Sequence, residues 1–219
     1  MQQWNLQPKF IEDQSFSIIT SEAGQHDWDS EEWSIVQRMV HTSADFDYVQ
    51  KTIISPGAIE AGVEAIRSGA PIITDTKMAL HGISAARLSR YSNRTICLIS
   101  DERTQRRARE TGTTRALAAV DMIFELFFRS ATDSGIWVVG NAPTALFRLL
   151  EKLEQEPDCP RPLLIVGLPV GFVNAAESKD ALGQTNYHHI SNRGRKGGSN
   201  VAASVINALA ELANAKSKD

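Results

Sequence analysis

Cysteine is scarce in this sequence: there are two among 219 residues, at positions 97 and 159. This scarcity argues against a disulfide framework, and nothing in the sequence indicates a zinc cluster. Long apolar runs are also missing, because no stretch approaches the roughly 20 residues that a membrane-spanning helix requires. The N-terminus lacks a basic segment followed by an apolar one, the pattern of a signal peptide. We therefore expect a soluble cytoplasmic protein with no bound metal and no membrane contact.

A strong charge of one sign is absent as well. The chain has 23 Lys and Arg against 26 Asp and Glu, which gives a formal net charge of −3. This balance argues against nucleic acid as a partner, since it provides no global basic field. Neither the GxGxxG nor the GxxxxGK(S/T) pattern occurs, which argues against a nucleotide-binding Rossmann-like enzyme. Any anionic ligand must therefore be bound by a local group of arginines.

Short apolar runs alternate with longer helical patterns along the chain. The predicted strands are 72–74, 95–99, 136–139 and 163–166, and the predicted helices are 31–42, 57–68, 78–89, 103–111, 114–130, 143–155 and 199–213. This alternation is typical of parallel βαβ units. We predict an α/β fold in one domain, 1–219 with a core from about 10 to 213, whose mainly parallel β-sheet is flanked by helices on both faces.

The first predicted helix carries the most interesting of the five histidines, His41. Asp29 or Ser30 is placed to cap this helix. Arg38 and His41 are three residues apart on a side that differs from the apolar stripe, so they are neighbours. A lone histidine is more often a surface or structural residue than a catalytic one, and both interpretations remain open. His188 and His189 are interpreted as loop residues.

Four polar segments follow predicted strands or open predicted helices: 74–76, 140–144, 167–172 and 193–199. In open α/β sheets, ligands bind beyond the carboxyl ends of the strands, so these segments predict a ligand cleft. Each segment can also be explained as a simple turn. The basic segment 193–199 fits an anion-binding loop at a helix N-terminus better than a nucleic-acid patch. Met78 and Trp137 are expected to pack in the core, with lining of the ligand cleft as the alternative for both.

Several segments resemble the precorrin-8X methylmutase family in order and spacing, over roughly residues 10 to 210. They are 15–19 (SFSII), 38–41 (RMVH), 69–75 (GAPIITD), 114–115 (TR), 140–147 (GNAPTALF), 169–173 (PVGFV), 175–179 (AAESK) and 193–199 (RGRKGGS). One such motif is weak evidence, but the whole ordered series is specific.

The resemblance implies an isomerase of cobalamin biosynthesis that consumes no cofactor. Its substrate would be precorrin-8X, or the cobalt complex cobalt-precorrin-8, converted to hydrogenobyrinate or cobyrinate by a methyl shift between adjacent carbons of ring C. It also implies a homodimer with its active site near the subunit interface. A non-catalytic corrinoid-binding carrier on the same fold is the alternative.

The resemblance implies that His41 is the catalytic residue, to which we assign the role of proton donor. It also implies that Ser15 and Arg38 contact the substrate, while Arg115 is a less specific match. A flat macrocycle with several carboxylates needs an apolar slot rimmed by arginines and backbone donors. We assign this rim to residues that include Arg193, Arg195 and Asn141, beside Arg38 and Arg115.

Arg38 would oppose a positive charge on His41, so we hypothesise that a substrate carboxylate neutralises Arg38 and thereby helps His41 become protonated. Two departures from the family concern substrate detail. Thr20 stands where family members often have an arginine. After His41 the chain continues Thr42-Ser43-Ala44, where family members often have Ala-Cys-Gly.

Overall fold

The computed structural model describes residues 7–128 and 135–215. Its six strands form one sheet in the order β1-β6-β5-β4-β2-β3, in which β1 runs antiparallel to β6 and every other neighbouring pair is parallel. The strands are β1 (Thr52–Ile54), β2 (Ile72–Thr74), β3 (Thr95–Ile96), β4 (Ile136–Val139), β5 (Leu164–Gly167) and β6 (His189–Asn192). The predicted α/β class with a mainly parallel sheet is confirmed.

Eleven α-helices connect and cover these strands within the described residues. They are α1 (Pro8–Ala23), α2 (Ser30–Ser43), α3 (Asp47–Lys51), α4 (Ala58–Arg67), α5 (Lys77–Gly82), α6 (Ala85–Leu88), α7 (Glu102–Thr111), α8 (Arg115–Ile123), α9 (Pro143–Gln155), α10 (Ala175–Gly183) and α11 (Ser199–Ala215). A π-helical turn, Phe124–Phe128, extends α8. In the part of the chain that the structure describes, no helix is long and apolar enough to cross a membrane.

Helices cover both faces of the sheet, as predicted. Side chains alternate between the two faces of a strand. In β4, Ile136 and Val138 therefore belong to one hydrophobic cluster, while Trp137 and Val139 belong to the other. The first cluster is completed mainly by α2, α4 and α11, and the second by α8, α9 and α10.

Strands β1 and β6 were not predicted. Strand β6 reads His-Ile-Ser-Asn, so it lacks the apolar pattern of a buried strand, yet all four residues are buried. Its register is fixed by β5 on one side and β1 on the other. The interpretation of His189 as a loop residue is therefore wrong, because tertiary pairing outweighs local composition here.

Three predicted elements differ from the structure by more than two residues, whereas the others agree within one or two residues. The predicted helix 78–89 is split into α5 and α6, because Asn207 of α11 accepts from the Ser84 amide and donates to the Gly82 carbonyl between them. The predicted strand 95–99 ends at Ile96 at the sheet edge, since β3 pairs only with β2. The predicted helix 114–130 becomes α8 and the π-helical turn, and residues 129 and 130 lie outside the described ranges.

The two side chains expected in the core behave differently. Trp137 is buried, so that expectation is confirmed. Met78 is 69% exposed, so the expectation was wrong for this residue. Met78 lies in the first turn of α5, directly after the loop that leaves β2.

Candidate active site

The four polar segments predicted at strand ends meet at the start of α11. The hydroxyls of Thr76 and Ser199 are 2.8 Å apart. The amide of Gly198 donates to the Leu168 carbonyl at 2.9 Å. A Cβ at Gly140 would lie 2.7 Å from the Ser199 Cα, so this glycine permits the close approach of two loops. The loops after β2, β4, β5 and β6 therefore form one continuous surface at this edge of the sheet.

A buried carboxylate holds the loop that carries Asn141. Asp75 accepts hydrogen bonds from the backbone amides of Gly140, Asn141 and Ala142 at 3.0, 2.8 and 2.8 Å. Burial raises the pKa of Asp75, and these backbone hydrogen bonds oppose that shift. The backbone of Asn141 is therefore fixed, while the residue itself remains exposed at the surface.

Arg115 lies beside this loop. It is the first residue of α8, after Thr114, whose side chain caps the helix by accepting from the Leu117 amide. The hydroxyls of Thr114 and Thr144 are 2.9 Å apart, which joins the N-termini of α8 and α9. The structure therefore brings Arg115, which is exposed, close to the segment that contains Asn141.

The segment before α11 presents Arg193 and Arg195, both exposed. The Arg193 amide donates to the Lys51 carbonyl at 2.8 Å, and the Arg195 carbonyl accepts from the Gly171 amide at 3.2 Å. The Arg195 guanidinium lies 5.6 Å from the centroid of the Phe172 ring. Because Phe172 is 85% exposed, this part of the surface combines cations with an exposed aromatic side chain.

Arg38 and His41 both contact Phe16 where α1 packs on α2. Phe16 is the common contact: the Arg38 guanidinium lies 5.0 Å from its ring centroid, and the His41 ring centroid is also 5.0 Å away. Ser15 is the neighbour of Phe16 in α1, and its hydroxyl donates to the Ile11 carbonyl at 2.7 Å. His41 lies in the last turn of α2 and is exposed.

Arg38 already has carboxylate partners in this structure. Its guanidinium is 2.6 Å from a Glu211 oxygen and 3.3 Å from a Glu12 oxygen, and Glu211 also pairs with Arg87 at 2.7 Å. The charge of Arg38 is therefore compensated before substrate binds, which removes the premise of the hypothesis that a substrate carboxylate neutralises Arg38; the protonation of His41 on binding stays a prediction. A substrate carboxylate that binds Arg38 must join or replace these glutamates.

Lys196 links the basic segment to the chain that follows His41. Its ammonium is 2.6 Å from Asp45 and 3.0 Å from Asp47. These bonds raise the pKa of Lys196, and hydrogen bonds from Lys51 and Lys196 lower the pKa of Asp47. The position of Arg193 and Arg195 is thus tied to the C-terminal end of α2.

Four residues of the recognised segments were not predicted individually as site residues: Phe16, Asp75, Phe172 and Lys179. Asp75 had a visible signal, since an acidic residue directly follows an apolar strand. Lys179 had none, because only the tertiary fold buries it. Within the described ranges, no three His, Cys, Asp or Glu side chains come together as a metal site.

Comparisons with known proteins place the chain in a family. The model of the family described as precorrin-8X methylmutase matches residues 10–212. The chain is 40% identical over 210 residues to a cobalt-precorrin-8 methylmutase of Leptospira interrogans, with 93% of each chain covered. It is 42% identical to the Salmonella typhimurium cobalt-precorrin-8 methylmutase, covering 93% of this chain and 94% of that protein. It is 41% identical to a precorrin-8X methylmutase of Sinorhizobium, covering 91% and 92%.

A solved structure agrees with these sequence relatives. The crystal structure of the precorrin-8X methylmutase from Thermus thermophilus superposes with a TM-score of 0.85 at 41% identity, and the match covers 95% of this chain and 97% of that one. Because sequence and fold both match over almost the whole length, the chain belongs to the precorrin-8X methylmutase family.

Proposed function

We propose that this chain moves a methyl group between adjacent carbons of ring C of precorrin-8X, or of its cobalt complex, with His41 as the proton donor. Membership of the methylmutase family makes the chain an isomerase, an intramolecular transferase of cobalamin biosynthesis. Relatives named for the metal-free and the cobalt substrate are almost equally similar to it, so the proposal covers both.

The contact of His41 with Phe16 is the observation that carries the proposal. It sets an exposed imidazole against an aromatic ring, beside Ser15 and Arg38, at the end of a helix. A helix C-terminus favours a positively charged side chain, and imidazole exchanges protons near neutral pH. Since Glu12 and Glu211 compensate the charge of Arg38, Arg38 opposes a cation on His41 less than an unpaired arginine would.

The remaining residues suit the carboxylates at the rim of a macrocycle. Arg115, Arg193 and Arg195 are exposed cations, and guanidinium groups form strong paired hydrogen bonds with carboxylates. The backbone amide of Asn141 was predicted as a rim donor, but it is already bonded to Asp75; we assign the neutral donor to the Asn141 side chain instead. We assign the apolar surface of the macrocycle to the exposed rings and methyl groups of this edge, such as Phe172 and Val173.

We also propose a homodimer that uses the outer face of α1. Phe10, Ile11 and Ile18 are large apolar side chains that are each about half exposed in the chain. Burying them against a second copy would remove apolar surface from water next to Ser15. Sedimentation velocity should give a dimer for the native chain and a monomer for Ile18→Glu; a monomeric native chain would contradict this assignment.

Anaerobic ultraviolet–visible spectroscopy tests the reaction. Purified protein is mixed separately with precorrin-8X and with its cobalt complex, and the appearance of the corrin product spectrum is followed. We expect conversion of at least one substrate by the native chain and a loss of turnover of about 10² to 10⁴-fold in His41→Ala, with binding retained. His81→Ala, an exposed histidine on α5, is the matched control.

Each other outcome has a defined meaning. Tight binding without conversion of either substrate would favour the corrinoid carrier. Native turnover in His41→Ala would show that His41 is not the proton donor. A chain that neither binds nor converts the two compounds would refute the proposed substrate.

A further inference from the structure

Lys179 is a buried cation to which the proposed reaction gives no direct role. It lies on α10 and is 2% exposed. Its ammonium donates to the Asn192 side-chain oxygen at 3.1 Å and to the Lys196 carbonyl at 2.6 Å. Both acceptors are neutral, whereas buried charges are usually paired with an opposite charge. Burial accordingly lowers the pKa of Lys179 to about 8.

Such a residue is costly for stability alone. Burial removes the hydration of its ammonium group, and two neutral acceptors offset this cost less well than an opposite charge would. Methionine would fill similar space on α10 without desolvating an ammonium group. The benefit of Lys179 must therefore come from the part of the chain that its two hydrogen bonds hold in place.

The two hydrogen bonds of Lys179 join the two ends of the loop that carries Arg193 and Arg195. Asn192, which accepts from Lys179, donates through its side-chain amide to the carbonyls of Arg193 at 3.1 Å and Lys196 at 3.0 Å. Lys179 and Asn192 thus form a clamp across residues 192–196, in which Gly194 adopts a positive φ of 81°. The clamp lies beneath the loop, while both arginine side chains remain exposed.

The clamp also determines how the loop enters α11. The Lys196 carbonyl, held by both members of the clamp, is followed by Gly197, whose position against the Leu168 carbonyl leaves no room for a Cβ. The Gly198 amide then donates to the same carbonyl. A change in the geometry of the clamp would therefore displace both arginines and the start of α11.

We propose that Lys179 is a positioning residue for substrate binding: with Asn192 it holds the loop 193–198 so that Arg193 and Arg195 meet the carboxylates of the macrocycle. The inference rests on the proposed function for the identity of the ligand. The placement of the loop by the clamp is a property of the ligand-free chain. The ammonium also adds positive charge beneath two arginines, and a bound polycarboxylate offsets the mutual repulsion of these cations.

The first experiment measures amide hydrogen exchange in the ligand-free protein. In Lys179→Met the amides of residues 193–199 should exchange at least about tenfold faster, because the loop loses two of its hydrogen bonds. The amides of α2 should be unchanged. Asn192→Ala removes the same clamp from its other side and serves if Lys179→Met does not fold. Lys152→Met, whose ammonium pairs with Glu156 on α9, is the control.

The second experiment separates positioning from general structural damage. With the substrate that the native chain converts, Lys179→Met should raise KM at least about tenfold and leave kcat within about threefold. In a chain that already carries Arg193→Gln and Arg195→Gln, the same substitution should change KM less than about twofold, because the groups that it positions are gone.

The outcomes distinguish this inference from the proposed function. Unchanged loop exchange in a folded variant, or an unchanged KM, overturns the role of Lys179. An equal rise of KM in both backgrounds also overturns it. If the native chain converts neither substrate, the proposed function fails, and the exchange measurement still decides whether the clamp holds the loop.

Discussion

The two halves of the candidate site hold their residues by different means. At the strand ends, buried polar groups fix the backbone, as Asp75 does for the loop of Asn141 and Lys179 for the loop of Arg193. On the α1–α2 pair, the residues project from helices, and His41 makes its ring contact at the surface. A buried charge is expensive to misplace, whereas an exposed side chain can adjust to a ligand. This difference agrees with the proposed roles, in which the strand-end half binds the fixed carboxylates of the substrate and the helical half transfers a proton.

The largest expected effect is on the stability of the strand-end half. Asp75→Asn places an amide nitrogen against backbone donors that now face a carboxylate, so at least one buried donor loses its partner. We expect a loss of about 3 kcal/mol in the free energy of unfolding, measured by urea denaturation. Asp101→Asn, at the exposed cap of α7, should cost less. Equal losses at the two positions would contradict the difference between buried and exposed anchors.

A smaller effect is expected for the ion pairs of the helical half. Arg38→Met removes contacts with Glu12 and Glu211, and the Arg38 side chain is 11% exposed. We expect the free energy of unfolding to fall by about 1 to 2 kcal/mol. Arg87→Met should have a smaller effect, because Arg87 is 32% exposed and Glu211 keeps its bond to Arg38. A larger loss of stability in Arg87→Met than in Arg38→Met would show that Arg87, and not Arg38, contributes more to this ion-pair network.

The pH dependence of stability tests the buried lysine directly. Since the pKa of Lys179 falls from the ordinary 10.5 to about 8 on folding, the unfolded chain binds more protons between these values. Stability contributed by this residue therefore rises with pH across that window. Native protein should gain on the order of 1 kcal/mol relative to Lys179→Met between about pH 7.5 and about pH 9.5. A constant difference between the two proteins, followed by urea denaturation, would mean that the ammonium is not desolvated.

The smallest effect should follow from restoring the frequent family arginine. Thr20 accepts a hydrogen bond from the Gln37 side chain at 2.7 Å, on the exposed side of α1. Thr20→Arg should change the free energy of unfolding by less than about 0.5 kcal/mol. If an arginine here reaches a substrate carboxylate, KM should fall about threefold; a rise in KM would show that this departure is adapted to the substrate of this chain.

The sequence alone predicted the elements whose signals are local. Helix α2 begins after Asp29, which forms a capping box with Glu32, and α9 begins with Pro143. Strands β2, β4 and β5 are short apolar runs and were recognised as such. Strand β6 was missed because its polar side chains are buried only by its neighbours. The break between α5 and α6 was missed because Asn207, far along the chain, creates it.

The residues of the candidate site likewise divide into those that the sequence indicates and those that only tertiary contacts reveal. Segment order predicted His41, Ser15 and the arginines as site residues, because a family resemblance preserves positions in the sequence. The glutamate partners of Arg38 could not be predicted, since Glu211 lies 173 residues away and meets it only in the folded chain. The hydrogen bonds of Lys179 depend likewise on how α10 packs against β6.

Helix α11 connects the two halves at opposite ends. Ser199 at its start contacts the strand-end loops, and Glu211 near its end binds Arg38. Twelve residues separate them, a rise of about 18 Å along the axis. The length of α11 therefore sets the distance between the proposed proton donor and the proposed carboxylate-binding rim. Inserting one alanine between these points would add about 1.5 Å and rotate one end by about 100° against the other, so its length is a dimension of the catalyst.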